Sequence, residues 1–370
     1  MTDDQLRVAV IFGGQSGEHD VSLASARSVM TVLRQSGHHV IPIGITRGGR
    51  WLLRGDPFAI LSDVARNPDA DVVETPGAGH ELVPGATGQA FPPIDVAFPV
   101  LHGPFGEDGT VQGLLELAGI PYVGCGVLAS SLSMDKIACK SVLTAHGLPV
   151  VPSRAINRSL WDAEPGRVIV DVEAALGYPV FVKPANLGSS IGISKATDRR
   201  TLVAALNDAA RYDRRLLVEQ AVQCPREIEC AVLGNDNPIA SVPGEVRPSN
   251  DFYDYAAKYI DGQSELLIPA SLPPAVAARV QELAVAAFRA VDGAGLARVD
   301  FLLSDITGDL YINELNTLPG FTAISMYPKL WEASGISYGD LVDRLIDLAL
   351  ERQRDRARSQ TRYYGGQLQA

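Results

Sequence analysis

Arg298-Val299-Asp300-Phe301-Leu302-Leu303, a turn over Ser304-Asp305-Ile306-Thr307-Gly308-Asp309, and then Leu310-Tyr311-Ile312-Asn313-Glu314-Leu315-Asn316 is the stretch on which the reading of this chain depends. In a strand, residues two apart face the same side. Val299, Phe301 and Leu303 alternate against Arg298, Asp300 and Leu302, and strict alternation puts Leu310, Ile312, Glu314 and Asn316 on one face of the second run. A hairpin built from the two runs brings Asp300, Glu314 and Asn316 together, with Arg298 beside them. Three hard oxygen donors suit Mg²⁺, which keeps waters and binds nucleotide phosphates through one or two carboxylates. A neighbouring guanidinium suits a phosphoryl group in transfer. Taken alone, the same residues also describe a solvated hairpin with ordinary surface charges, so the rest of the chain has to decide.

A chain of 370 residues predicts two or three domains. Its 46% hydrophobic and 20% charged residues are ordinary for a globular protein, and 35 glycines and 24 prolines scattered between apolar runs predict functional loops rather than disorder. A net charge of −11 without a basic stripe speaks against nucleic acid as a partner. Cys125, Cys139, Cys224 and Cys230 show no C-x-x-C spacing. They read as buried free thiols in a reducing compartment rather than as disulfides or a metal site. Met1–Arg7 carries acids and no long apolar segment follows, so no signal peptide or membrane span is expected and a cytoplasmic location is.

The apolar run Leu6–Phe12, the glycine loop Gly13–Gly17, a helix from Asp20 or Ser22 past Met30, and a strand Val40–Ile45 follow one another. Val96–Leu101 reads as a further strand, with a glycine-rich loop and a helix over Gly113–Ala118 after it. That order is α/β, with ligands expected at the carboxyl ends of parallel strands. Pro68–Pro93 is weakly patterned and reads as an excursion with a short hairpin. A helix is expected over Ser133–His146. A mixed unit follows: strand Val180–Lys183, loop Pro184–Gly192, a short strand near Ile193, helix Thr201–Ala210 and strand Leu216–Gln220. From Glu227 the pattern predicts strands near Glu229–Leu233 and Ile239–Val246, a loop Arg247–Glu265, helix Pro274–Val291, the hairpin, and a last helix Tyr338–Arg352 before a polar tail. The domains expected are 1–130, 131–222 and 223–370, in a fold that is α/β at the N-terminus and α+β overall.

The loops carry the chemistry. Gly13–Gly17 matches neither the dinucleotide fingerprint nor the Walker phosphate loop. Glu18, just before a helix, either complements the helix dipole or meets a substrate ammonium group. His102, in the loop running to Gly109, is equally a structural hydrogen bonder or a ligand contact. Lys183 ends an apolar strand and leads into Pro184-Ala185-Asn186-Leu187-Gly188-Ser189-Ser190-Ile191-Gly192, a loop able to fold over phosphates with the lysine as a point charge. Lys136 is a second phosphate candidate. Leu216–Val222 is by pattern a buried strand running into a connector. The connector's backbone can meet an adenine edge, with Val222 packed on it and Glu227 placed for ribose hydroxyls. Phe252-Tyr253-Asp254-Tyr255-Ala256-Ala257-Lys258-Tyr259 lies in a long loop of the kind that forms lids, with Lys258 in reach of a γ-phosphate and Tyr259 of the substrate.

Seven stretches, Ser16–Ser22, His102–Gly109, Met134–Lys136, Lys183–Gly192, Phe252–Tyr259, Ala297–Asp300 and Asn313–Gly320, resemble in sequence and order an ATP-grasp ligase of the D-alanine–D-alanine ligase family. The resemblance runs from Phe12 to about Leu350. It implies a three-domain ATP-grasp fold, an N-terminal Rossmann-like parallel sheet and two mixed α+β domains clasping ATP. It further implies that Lys136, Lys183, Ser190 and Lys258 bind ATP phosphates, and that Glu219, Val222 and Glu227 surround adenosine. Asp300, Glu314 and Asn316 would hold two Mg²⁺ ions, replaceable by Mn²⁺, and a monovalent cation is allowed. Glu18 would anchor the first D-alanine, latched through Ser189 and Tyr259, with His102 beside the substrate. Arg298 and the Gly320 N–H would face the oxyanion, and Ser325 and the Met326 backbone the second carboxylate.

Relatives that make D-alanyl-D-lactate carry a histidine in place of Tyr259, so the dipeptide is the product this chain implies. Gln223–Arg226 is one residue longer than the family pattern, which leaves the register of the Glu227 contact open. Two molecules of D-alanine, ATP and a homodimer through the N-terminal domain complete what the resemblance implies. The rival readings are a depsipeptide ligase, a non-catalytic nucleotide-binding protein and a dinucleotide-dependent oxidoreductase. They meet, respectively, Tyr259, the intact set Arg298, Asp300, Glu314 and Asn316, and the missing glycine fingerprint.

Overall fold

A computed structural model describes residues 5–53, 56–66, 93–188, 191–247 and 265–360. The Pro68–Pro93 excursion (but for Pro93), the loop Phe252–Tyr259, the tail beyond 360, and Ser189, Ser190, Lys258 and Tyr259 lie outside the described residues.

Three sheets follow one another along the chain. In the first, β1 (Arg7–Gly13) lies between β2 (His39–Ile45) and β4 (Val96–Leu101), parallel to both, and β3 (Trp51–Leu52) adds to β2 in the antiparallel sense. A central parallel strand is covered on both faces, which is why Val8–Phe12 is continuously apolar and buried. Helix His19–Gln35 covers one face with Leu23, Ala26, Met30 and Leu33, spaced three or four apart.

The second sheet joins β5 (Ser153–Asn157), β6 (Val180–Pro184), β7 (Ser194–Ala196) and β8 (Arg215–Gln220) in the order β5-β8-β6-β7, all antiparallel. Helices Pro165–Leu176 and Arg199–Tyr212 pack against it, the second started by a capping box between Asp198 and Thr201.

The third sheet runs β12 (Glu265–Leu267), β11 (Gly244–Arg247), β9 (Pro225–Gly234), β13 (Gly295–Ser304), β14 (Leu310–Asn316), with β10 (Ile239–Ala240) on β9. Helix Pro274–Ala290 seals one face with Val280, Leu283, Ala287 and Phe288. Helices Met326–Ala333 and Tyr338–Arg356 share a core with β1: Tyr327, Trp331, Leu341 and Leu345 cluster with Val8, Val10 and Phe12. The C-terminal helix thus holds the first sheet against the third, which fixes the distance between their ligand-facing edges.

The single helix expected over Ser133–His146 is two helices, Val127–Met134 and Lys136–Ala145. Asp135 separates them in extended backbone and accepts from the N–H groups of Ile137 and Ala138, the N-cap role to which aspartate is suited. β5 and helices Arg158–Ala163 and Pro165–Leu176 were not foreseen. Of the cysteines, Cys125, Cys139 and Cys230 are buried free thiols, but Cys224 is exposed, because it sits in the left-handed turn that enters β9.

Candidate active site

The hairpin forms in the expected place, and its register sets the site. Arg298 pairs with Asn316 and Asp300 with Glu314, but Phe301 then pairs with Ile312, leaving Asn313 as the extra residue of a bulge. The bulge corrects the expected alternation. Ile312 and Leu315, three apart, both enter the core, whereas Glu314 and Asn316 face away from it with Arg298 and Asp300. Arg298 donates to both oxygens of Asp300, at 2.6 and 2.7 Å, and its Nε lies 2.9 Å from Glu229 on β9. The Asn316 side-chain amide donates to Asp300 Oδ2 at 2.9 Å. Burial works against charge on Arg298, yet Asp300 and Glu229 hold its guanidinium well above its ordinary range.

Among the described residues no three His, Cys, Asp or Glu side chains gather into a ready cation cage. Asp300 and Glu314 supply two carboxylates, and Asn316, donating through Nδ2, keeps its Oδ1 as an acceptor. Such a donor set is incomplete for a dedicated protein site. It fits a hard divalent cation that takes its remaining oxygens from phosphates and water.

Three lysines surround the hairpin. Lys136 Nζ is 3.8 Å from Glu314 and donates to Leu187 O at 2.7 Å. Lys183 Nζ is 2.5 Å from Glu219 Oε2 and donates to Asn313 Oδ1 at 3.3 Å, so the bulge residue ties β14 to β6. Lys140 approaches the other Glu219 oxygen at 2.7 Å. Burial raises the Glu219 pKa, but the two ammonium groups outweigh it and hold the carboxyl at about 2. A depressed folded-state pKa gives stability that is present above the unfolded value near 4.5 and lost as pH falls through about 2. The stability gap between the wild type and Glu219→Gln should therefore narrow as pH falls through that window. Urea unfolding curves across acid pH check this; a constant gap would contradict the assignment.

A pocket of about 720 Å³ opens between the first and third sheets. Of the predicted residues, Glu18, His102, Lys136, Arg298, Glu314, Asn316, Gly320, Ser325 and Met326 line it. Asp300 stands behind Arg298. Lys183 and Glu219 join through Asn313, and Glu227 lines a second cavity of about 450 Å³ with Arg226 and Glu245. Val222 is half-buried in the connector between β8 and β9. Glu18 sits at the start of helix His19–Gln35 but its side chain makes no cap hydrogen bond, so helix capping does not account for it. Gly103 and Gly188 both border Glu18 Oε2, a Cβ on either standing 3.6 Å from it in ordinary contact.

The strap from Thr317 to Ser325 is gripped at two points on either side of Gly320. His102 Nδ1 lies 2.9 Å from the Leu318 carbonyl, and Glu107 accepts from the Gly103 N–H at 2.7 Å beside it. The Phe321 N–H donates to Ser25 Oγ at 3.2 Å, and its carbonyl accepts from the Tyr338 hydroxyl at 2.7 Å. Burial and the nearby Glu18 charge push the Glu107 carboxyl up to about 8. Sequence reading missed Glu107, Glu229, Lys140, Asn313 and Ser25. Two of these carried a local signal: Glu229 is two residues from Glu227 on one strand, and Lys140 is four residues from Lys136 on one helix, so each shares a face with a predicted residue.

Residues 7–125 match the D-ala D-ala ligase N-terminus family model, and residues 142–347 match the D-ala D-ala ligase C-terminus model. The chain is 52% identical to a D-alanine–D-alanine ligase of Heliobacterium modesticaldum over 356 residues, which are 96% of this chain and 97% of the relative. It is 48% identical to the D-alanine–D-alanine ligase of Natranaerobius thermophilus, over 96% of this chain and 98% of that one. Among solved structures, the VanG D-Ala:D-Ser ligase from Enterococcus faecalis superposes with a TM-score of 0.79 at 37% identity, covering 94% of this chain and all of the other. The D-alanine-D-alanine ligase from Coxiella burnetii superposes with a TM-score of 0.78 at 35% identity, over 96% of each chain.

Proposed function

The chain belongs to the D-alanine–D-alanine ligase family, whose ligases join amino acids at the expense of ATP for the cell wall, and from that premise we propose that it makes D-alanyl-D-alanine through a D-alanyl phosphate. The observation that carries the proposal is a single pocket shared by Glu18 and by the Arg298, Glu314 and Asn316 side chains of the hairpin. One end offers a carboxylate to an ammonium group, and the other offers a guanidinium and cation ligands to phosphate.

Glu18 binds the first D-alanine through its ammonium group, which leaves the substrate carboxylate aimed at the hairpin. A carboxylate oxygen attacks the γ-phosphorus of ATP. The new O–P bond forms as the bond to the bridging oxygen breaks, and ADP leaves with that electron pair. Mg²⁺ held by Asp300, Glu314 and Asn316, with Mn²⁺ as a replacement, would neutralise phosphate charge in this step. Lys136 and Lys183 bind phosphate oxygens. Lys258 and Ser190 are assigned to the phosphates and Ser189 and Tyr259 to the Glu18 latch, all four outside the described residues, and the acyl phosphate must be kept from water, which would hydrolyse it. The amine of the second D-alanine then attacks the acyl carbon. Arg298 and the Gly320 N–H bind the oxyanion; the carbonyl re-forms as the C–O bond to phosphate breaks, and the departing phosphate takes up the proton that the amine gives up. The double grip on Leu318 and Phe321 holds that N–H in place before the charge develops. Glu219, Val222 and Glu227 bind adenosine, and Ser325 and the Met326 backbone bind the second carboxylate.

The same reading divides the chain at 1–130, 131–222 and 223–370, and places a homodimer in the cytoplasm. No helix among the described residues is long and apolar enough to cross a membrane. For the second substrate, D-alanine is preferred to D-serine. Curated relatives at 52% and 48% identity are named for D-alanine, while among the solved structures the D-Ala:D-Ser ligase at 37% and a D-alanine-D-alanine ligase at 35% stand level, so the preference rests on the curated relatives.

Incubating the protein with ATP, Mg²⁺ and D-alanine, in competition with D-serine and with D-lactate, tests the proposal by product mass. D-alanyl-D-alanine, with ADP and phosphate in equal amounts, is expected to predominate. A D-serine or D-lactate product in excess would overturn the specificity, and absence of any ligation would overturn the reaction.

A further inference from the structure

Lys140 is a buried charge that the reaction leaves without a task. It is 5% exposed, four residues after Lys136 on helix Lys136–Ala145, and so on the same helical face. Its Nζ lies 2.7 Å from Glu219 Oε1 at an angle that falls short of a hydrogen bond. The other oxygen, Oε2, is held by Lys183 at 2.5 Å. The helix cannot drift relative to this pair. Asp135 caps it and is paired with Arg215, which opens β8, and Lys136 N–H donates to Ala185 O just beyond β6. Stability alone does not explain the arrangement, because apolar groups of similar volume usually replace a buried ion pair without loss.

We propose that Lys140 is a positioning residue for ATP, holding the Glu219 carboxylate from the side opposite Lys183 so that Lys183 keeps positive charge for the triphosphate. The inference rests on the reading that Lys183 binds ATP phosphate. With Lys183 as its sole counter-ion, Glu219 would cancel that lysine and draw its ammonium group inward. With Lys140 in place the cluster carries a surplus positive charge. Glu219 and Asn313 then account for two of the three N–H donors of Lys183, leaving one for phosphate.

The test compares Lys140→Met, Lys140→Arg, Glu219→Gln and the Lys140→Met/Glu219→Gln double variant. It reads Mg-ADP affinity by calorimetry and the KM values for ATP and D-alanine. Lys140→Met should weaken Mg-ADP binding and raise the ATP KM by about tenfold or more, with D-alanine KM moving less than about threefold, and Lys140→Arg should recover most of the loss. In the Glu219→Gln background the same change should add less than about twofold. An unchanged ATP KM in Lys140→Met, or an equal loss in both backgrounds, would overturn the proposal. If Lys140→Met does not fold, the double variant decides, because it strands no carboxylate. Folding with the ATP KM of Glu219→Gln supports the role, and failure to fold overturns it by showing that Lys140 serves other partners. A wild type that binds no Mg-ADP would instead strike the ligase reading itself.

Discussion

Glu314→Gln is expected to abolish metal-dependent ligation, lowering kcat by about a thousandfold or more, while the fold persists. The substitution keeps the shape of the side chain and removes one negative charge from a set with only two carboxylates, Asp300 and Glu314. Asp300 is already engaged by Nε and Nη2 of Arg298 and by Asn316, so it cannot take over the missing charge. Stability should change little, within about 1 kcal/mol, because Glu314 is a quarter exposed and its nearest ammonium, Lys136, stands off at 3.8 Å. Turnover measured against Mg²⁺ and Mn²⁺ concentration, beside a urea unfolding curve, checks both halves. Normal turnover would remove Glu314 from the chemistry. A collapsed unfolding midpoint would make it a structural residue instead.

The hairpin was legible because two short-range signals agree in it. Apolar residues alternate along Val299–Leu303, and Ser304–Asp309 supplies turn formers between the runs. The bulge at Asn313 was not legible. An extra residue leaves no compositional mark when its neighbours are themselves plausible strand residues, so the expected face of β14 was wrong at Ile312. Asp135 shows a similar limit. It is tolerable inside a helix and better as a cap, and the long-range partners that favour the cap here, Arg215 on the Asp135 carboxylate and Ala185 O on the Lys136 N–H, leave no local mark. Helix Arg158–Ala163 was hidden by its short length, whereas Pro165–Leu176 carried a readable signal that was passed over, a proline at its start and Val168, Ile169, Val172 and Leu176 at helical spacing. The grips on the strap are long-range by nature. Ser25 meets Phe321 across 296 positions and His102 meets Leu318 across 216, and no local pattern reports such pairs.

Replacing Arg298 should have the other large effect, on folding and chemistry together. In Arg298→Met, Asp300 and Glu229 keep their places on adjacent strands of the third sheet with side chains 14% and 6% exposed, and lose the cation between them. Stranding buried carboxylates in this way typically costs about 3–5 kcal/mol. The deficit should lessen in acid, where carboxylates take up protons, and should be largest at neutral pH. Arg298→Lys separates the two effects. A lysine restores the charge and most of the stability, but it cannot form the two parallel bonds to Asp300 while pointing at Glu229. It should still lose about a hundredfold or more in kcat/KM. Mg²⁺ supplies a further distinction. If Asp300 faces the cation site, added Mg²⁺ should raise the unfolding midpoint of Arg298→Met more than that of the wild type, because the ion replaces the missing charge. Equal shifts in the two proteins would mean that Asp300 serves Arg298 alone, and the metal would then have to be held by Glu314 and Asn316 without it.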